Sequence, residues 1–138
     1  MDKKLLIRKA IEARKNAYTP YSNFKVGAAL LTKNGKIYQG CNIESVSFTP
    51  TICAERTAIF KAVSEGEKDF EAIAIVGGKA GELLNKPGGS APCGVCRQVM
   101  LEFSKDLSII EAVSEDDYVE YTLAEILPRG FGPETLGE

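Results

Sequence analysis

The sequence predicts an α/β protein in which a mixed sheet of about five strands is covered by helices. Three observations carry that prediction. The elements read in the order α-β-β-α-β-α-β-β along the 138 residues. Residues 72–113 read as strand, helix, strand, a βαβ unit whose strands run parallel with a right-handed crossover. The segment Ser114-Glu115-Asp116-Asp117 is too short for a crossover, so the last strand returns antiparallel to its predecessor.

Each element has a local cause. Asp2 is placed to cap a first helix running to about Ala17, with Leu5, Leu6, Ala10, Ala13 and Ala17 at helical spacing. Thr19-Pro20-Tyr21-Ser22-Asn23 is a loop, because proline disfavours helix in the residue before it. Residues 26–31 are a short apolar run, and Asn34-Gly35 is the turn signal of a hairpin whose partner strand runs over 36–43. A polar loop over 45–52 leads to a helix starting near Cys53 and running to about Val63. Residues 72–76 are a buried strand stopped by Gly77-Gly78, followed by a long loop over 79–92. A helix starts near Cys93 and carries Val99, Met100 and Phe103. Strands follow over 107–113 and 118–121, then a short helix over 123–127, capped by Thr122 and ended by Pro128. The tail from Arg129 is irregular. No repeat or linker divides the chain, so residues 1–138 read as one domain.

Composition removes several function classes. The chain is 44% hydrophobic and 26% charged, that of an ordinary globular protein, and no apolar run is long enough to span a bilayer. The N-terminus leads into an amphipathic segment instead of a signal peptide, which predicts a mature chain that begins at Met1 and stays in the cytoplasm. Net charge is −2 with mixed signs, and no basic cluster is dense enough to track a nucleic acid polymer. With no histidine in the sequence, Ser-His-Asp triads, Cys-His dyads and His-ligated zinc sites are all impossible. A zinc site here must be built from thiolates, with carboxylates as the other available donors.

Cys53-Ala54-Glu55-Arg56 and Pro92-Cys93-Gly94-Val95-Cys96-Arg97 supply the parts. Three thiolates, Cys53, Cys93 and Cys96, fill three corners of a tetrahedral metal and leave the fourth for water. Cys93 and Cys96 stand at i and i+3, on one helical turn. Both motifs fall at helix N-termini, where the backbone field favours thiolates. Glu55 lies two residues from Cys53, close enough to face that water without ligating the metal. Three thiolates leave the metal site with a net negative charge, and Arg56 is placed to donate hydrogen bonds to the sulfurs and withdraw part of it. Cys41, in a strand pattern, reads as a free buried thiol. Other readings of the same residues are a closed structural zinc site with Cys41 as fourth ligand, and a redox Cys-x-x-Cys pair without metal.

The pairing of Cys-Ala-Glu with Pro-Cys-x-x-Cys resembles the zinc-dependent base deaminases, a family in which a glutamate beside a Cys₃ zinc site serves as general acid and base. Within it, the chain is similar to the small homotetrameric cytidine deaminases. The resemblance rests on Tyr21-Ser22-Asn23-Phe24-Lys25-Val26-Gly27-Ala28-Ala29, Gly40-Cys41-Asn42-Ile43-Glu44, Cys53-Ala54-Glu55-Arg56-Thr57-Ala58, Pro92-Cys93-Gly94-Val95-Cys96-Arg97-Gln98 and Leu127-Pro128-Arg129-Gly130-Phe131, in the family's order. It implies a three-layer α/β/α fold, one Zn²⁺ per chain on Cys53, Cys93 and Cys96, and Glu55 as proton shuttle. It implies that Phe24 packs on the pyrimidine, and that Asn42 and Glu44 hydrogen-bond the ribose hydroxyl. Val46, Phe48 and Phe131 would close the pocket from neighbouring subunits of a homotetramer. The implied reaction is hydrolytic deamination of cytidine or deoxycytidine. A deaminase for another small aminopyrimidine or aminopurine is the nearest rival. Two features depart from the family: Phe48 stands where tyrosine is frequent, and the loop over 79–90 is several residues longer than in compact members.

Overall fold

The structure, a computed structural model, describes residues 1–82 and 90–137. Helix α1 (Lys3–Arg14) begins at Asp2, whose side chain accepts from the Leu5 N–H at 3.0 Å. It leads to strands β1 (Phe24–Thr32) and β2 (Ile37–Cys41), then helix α2 (Ala54–Ser64), β3 (Phe70–Lys79), α3 (Gly94–Phe103), β4 (Ser108–Ser114), β5 (Asp117–Thr122) and the short helix α4 (Leu123–Ile126). The strands form one sheet in the order β2-β1-β3-β4-β5. β3 and β4 are parallel, while β1 runs antiparallel to both its neighbours and β5 runs antiparallel to β4. The mixed sheet, its parallel pair and its antiparallel last strand are those expected.

Side chains alternate across a strand, so the sheet has two faces with different coverings. Val26, Ala28 and Leu30 of β1 and Ile73 and Ile75 of β3 point to the front, where they pack with Ala58, Ile59 and Ala62 of α2 and Met100 of α3. Ala29, Ala72, Ala74, Val76, Ile110 and Ala112 point to the rear and meet Leu6, Ile7 and Ala10 of α1. The result is three layers, α/β/α.

Two glycines set how close the helices come. A Cβ at Gly27 would lie 2.0 Å from the Ala10 carbonyl oxygen, so α1 rests directly on the rear of β1. A Cβ at Gly40 would lie 2.5 Å from both the Ala54 oxygen and the Ala58 nitrogen, so α2 rests directly on the front of β2.

Several boundaries differ from expectation. α1 ends at Arg14, because Asn16 and Ala17 donate to Ala13 and Arg14 in tightened turns, though Ala17 stays buried. β2 stops at Cys41, and Ile43 instead makes isolated bridges to Tyr18 and Ile52. Gly77-Gly78 does not stop β3. The strand continues to Lys79 because β1 starts at Phe24, two residues earlier than its apolar run, and pairs Phe24 with Lys79, Lys25 with Gly78 and Val26 with Gly77. Thr122 caps α4 with a reciprocal bond to Glu125. The tail, expected to be irregular, carries a 3₁₀ turn over Pro133–Leu136. Of the long loop, residues 83–89 lie outside the described residues, and with them most of the expected 79–90 departure.

Candidate active site

The two cysteine motifs meet on the front of the sheet. Cys53 and Cys93 are the N-cap residues of α2 and α3, and neither uses its side chain as a cap, so both thiols are free for other work at positive helix ends. Cys96 lies one turn into α3, fully buried. The three Sγ atoms lie within 4.8 Å of one another, with Cys53 and Cys93 at 3.5 Å. Tetrahedral Zn–S bonds of about 2.3 Å place sulfurs about 3.8 Å apart, so the cluster fits one zinc ion. Cys41 does not join it. It pairs with Gly27, so it faces the rear of the sheet and lines a separate cavity with Glu12, Ala13 and Lys61. The Cys41 thiol is half-buried, less enclosed than expected, and burial pushes its pKa up. A closed four-thiolate site is therefore not built here.

Arg56 stands behind the cluster, as its position in the sequence suggested. Its guanidinium donates to Cys53 Sγ at 3.5 Å. Burial works against its charge, but hydrogen bonds to the Cys53 and Cys96 sulfurs outweigh that and raise its pKa. Its Nε is a buried donor without a partner among the described residues, next to sulfurs that accept more strongly once deprotonated. The Cys53 thiol is shifted down, first by a hydrogen bond with Cys96 and then by Arg56 and Cys93, while the same bond to Cys53 shifts Cys96 up. Arg97 has a different task. It donates to the Pro92 oxygen at 2.8 Å and the Ile126 oxygen at 2.6 Å, tying the start of α3 to α4.

Glu55, in the first turn of α2, is 4% exposed. Burial pushes its pKa up to about 7, and the charges of Cys53 and Glu111 add to that, while its own backbone N–H and Arg56 oppose it. A carboxyl group poised near neutrality can both take and return a proton.

Glu55, Cys53 and Cys93 open onto a cavity of about 200 Å³, whose other walls include Phe24, Val26, Asn42, Ile75 and Gly77. The site thus gathers Phe24, Asn42, Cys53, Glu55 and Cys93 around one space. Asn42 is held by accepting from the Val26 N–H at 2.9 Å and donating to the Phe24 oxygen at 2.8 Å. Glu44 is not a cavity wall. Its carboxylate accepts from the Tyr21 and Ser22 N–H groups at 3.0 and 3.1 Å and from the Ser22 hydroxyl, which hold its pKa below the usual range. Val46, Phe48 and Phe131 are also outside it, at 73%, 68% and 58% exposure on this single chain. Phe48 stacks edge-on against Tyr21.

Sequence reasoning did not assign Ser22, Glu111 or Gly77 to the site. Ser22 was present in a motif without a role. Glu111 was hidden inside an apolar strand pattern. Gly77 looked like a stop, but a Cβ there would come within 3.2 Å of the Phe24 ring, so the glycine makes room for it.

Comparison with known proteins agrees with this geometry. The family described as the cytidine and deoxycytidylate deaminase zinc-binding region matches residues 1–111. The chain belongs to this family. A cytidine deaminase of Halalkalibacterium halodurans is 46% identical over 139 residues, covering 100% of both chains. One from Sporosarcina psychrophila is 45% identical over 99% of this chain and 96% of that one. The 1.6 Å crystal structure of cytidine deaminase from Burkholderia pseudomallei superposes with a TM-score of 0.83 at 44% identity, covering 95% of this chain and all of that one. The Mycobacterium tuberculosis cytidine deaminase crystal structure gives 0.79 at 38% identity, covering 96% and 98%. Family membership and the three-sulfur cluster agree on zinc as the metal of this site.

Proposed function

We propose that this chain hydrolyses cytidine and deoxycytidine to uridine and deoxyuridine with release of ammonia, a reaction of pyrimidine salvage. The observation that carries the reading is Glu55, buried, poised near pH 7, beside three clustered sulfurs and at the edge of a cavity walled by Phe24 and Asn42. Held by Cys53, Cys93 and Cys96, zinc supplies Lewis acidity that brings the pKa of a water to ~7.

The chain's own residues do the rest. Glu55 would take a proton from the attacking water and pass it to ring N3, which makes C4 electrophilic as the water oxygen adds there. Glu55 would then take the remaining proton from the new C4 hydroxyl and give it to the amino group, which leaves as ammonia. Phe24 packs on the ring from the β1 wall. Asn42 and Glu44 orient the ribose, Glu44 as a carboxylate kept ionised by Ser22 and the loop N–H groups. Arg56 draws charge from the sulfurs, so that three thiolates do not blunt the metal.

The reading includes a cytoplasmic homotetramer in which Val46, Phe48 and Phe131 of adjacent copies close the pocket. Their exposure as apolar side chains on the lone chain supports this. The decisive experiment measures zinc per chain together with the fall in 280 nm absorbance when cytidine is added. One zinc and ammonia release are expected; zinc without ammonia would leave only a metal-binding module. Light scattering at four times the chain mass tests the assembly.

A further inference from the structure

The front wall of the cavity is held from behind by one side chain on the other face of the sheet. Arg14 closes α1. Its Nε donates to the Lys25 oxygen at 2.9 Å. Its Nη2 group reaches the Gly78 oxygen at 2.9 Å and the Lys79 oxygen at 2.6 Å, and also faces the Glu82 oxygen. Lys25 and Gly78 are a register pair, so Arg14 ties β1 to β3 across that pair. By strand alternation, the neighbours Phe24, Val26 and Gly77 point the opposite way, into the cavity. The Lys25 ammonium adds a second tie, donating to the Ala17 oxygen at 2.8 Å. The rigid guanidinium fork presents separate N–H donors to carbonyls on two strands, whereas an ammonium donates from a single point on a flexible stem.

We propose that Arg14 is a positioning residue for substrate: through the Lys25 and Gly78 carbonyls it holds Phe24, Val26 and Gly77 in the arrangement that receives the base. The proposal rests on the reading above, in which this cavity takes the pyrimidine. Arg14 touches neither the sulfurs nor Glu55, so its loss moves the wall and leaves the reacting groups in place. The wall meets the base, and through the Val26 N–H and the Phe24 oxygen it also anchors Asn42.

The test compares wild type with Arg14→Ala, Arg14→Gln and Arg14→Lys, each assayed for zinc, kcat, KM for cytidine and inhibition by free cytosine. KM is expected to rise roughly tenfold, equivalent to about 1.4 kcal/mol of binding. Zinc should stay at one per chain and kcat within about twofold, the split that marks lost binding without lost chemistry. Cytosine inhibition should weaken as well, and Arg14→Lys should not restore it. An unchanged KM in a zinc-loaded Arg14→Gln protein overturns the proposal, as does loss of kcat and zinc in step with KM. If Arg14→Ala does not fold, Arg14→Lys decides: wild-type KM with lysine overturns the need for a fork. A wild type inert to cytidine defeats the functional reading instead. Amide hydrogen exchange at residues 25–26 and 77–78 then judges Arg14, with faster exchange in Arg14→Gln expected and unchanged exchange overturning it.

Discussion

The two faces of the sheet are built to different standards. The rear is apolar and fine-grained: Ala29, Ala72, Ala74 and Ala112 lie under α1 with Leu6, Ile7 and Ala10. The front carries bulkier groups but also buries two carboxyl groups, Glu55 and Glu111, beside the thiols of two N-cap residues and a third thiol that is fully enclosed. Burying acids costs free energy unless they are compensated, and here both are pushed toward their protonated forms. The rear therefore stabilises the fold, while the front holds reactive groups at a cost in stability.

That contrast can be broken at several points. The largest effect should come from Cys96→Ala or a strong chelator, either of which should remove zinc and all measurable turnover while circular dichroism keeps its folded shape. Retained turnover without zinc would place the chemistry elsewhere. Glu55→Gln should keep one zinc per chain and lose about 10² to 10⁴ in kcat, the usual worth of general acid/base catalysis; a variant keeping more than about a tenth of the rate would remove Glu55 from its role. In metal-free protein the same substitution sharpens the comparison. The folded pKa of Glu55 is raised from 4.5 to about 7, so its contribution to stability is present below pH 4.5 and lost as pH rises through 7. The wild type should therefore lose ground to Glu55→Gln across that window in thermal melts.

On the rear, Ile7→Ala should cost about 2–5 kcal/mol by denaturant titration, because Ile7 is wholly buried. Under folding conditions kcat and KM should be unmoved; a change in either would mean that the apolar packing under α1, and not the Arg14 tie alone, reaches the cavity wall. Arg56→Ala is subtler. Arg56 lowers the Glu55 pKa, so removing its charge should move the acid limb of the kcat/KM profile upward, with zinc retained. An unmoved profile would take Arg56 out of the electrostatics. Smallest is Glu44→Gln. The pKa of Glu44 is lowered from 4.5, so its stabilisation is present above that value and lost as pH falls below it. The variant should flatten the acid side of the stability curve and raise KM for cytidine more than for free cytosine.

Much of this was legible in the sequence because it is written in short-range signals. Helix starts at Cys53 and Cys93 follow from the apolar spacing after each motif, and the antiparallel last strand follows from a turn too short to cross over. The sulfur cluster could be assembled from residue inventory, since the absence of histidine left thiolates and carboxylates as zinc donors and the cysteine spacing singled out three thiolates. What escaped were features set by contact between distant segments. β3 runs through Gly77-Gly78 because β1 pairs with it there, and a pair of glycines taken alone reads as an end. Glu111 sits in a strand whose neighbours are apolar, and only its pairing with Ile75 and Val119 shows that it shares the front with Glu55. Arg14 carries no sequence signal beyond a charge at the end of a helix; its role depends on the carbonyls of β1 and β3 around it.

Gly40 carries a last consequence. Because α2 touches the main chain of β2 at that point, no flexible group intervenes between the helix bearing Glu55 and the strand that leads to Asn42. The spacing between the two is thus gauged by main-chain atoms, like the jaws of a caliper with a fixed stop. Repacking the surrounding core with larger or smaller side chains should leave that gauge unaltered, whereas a single methyl group at residue 40 would force the jaws apart.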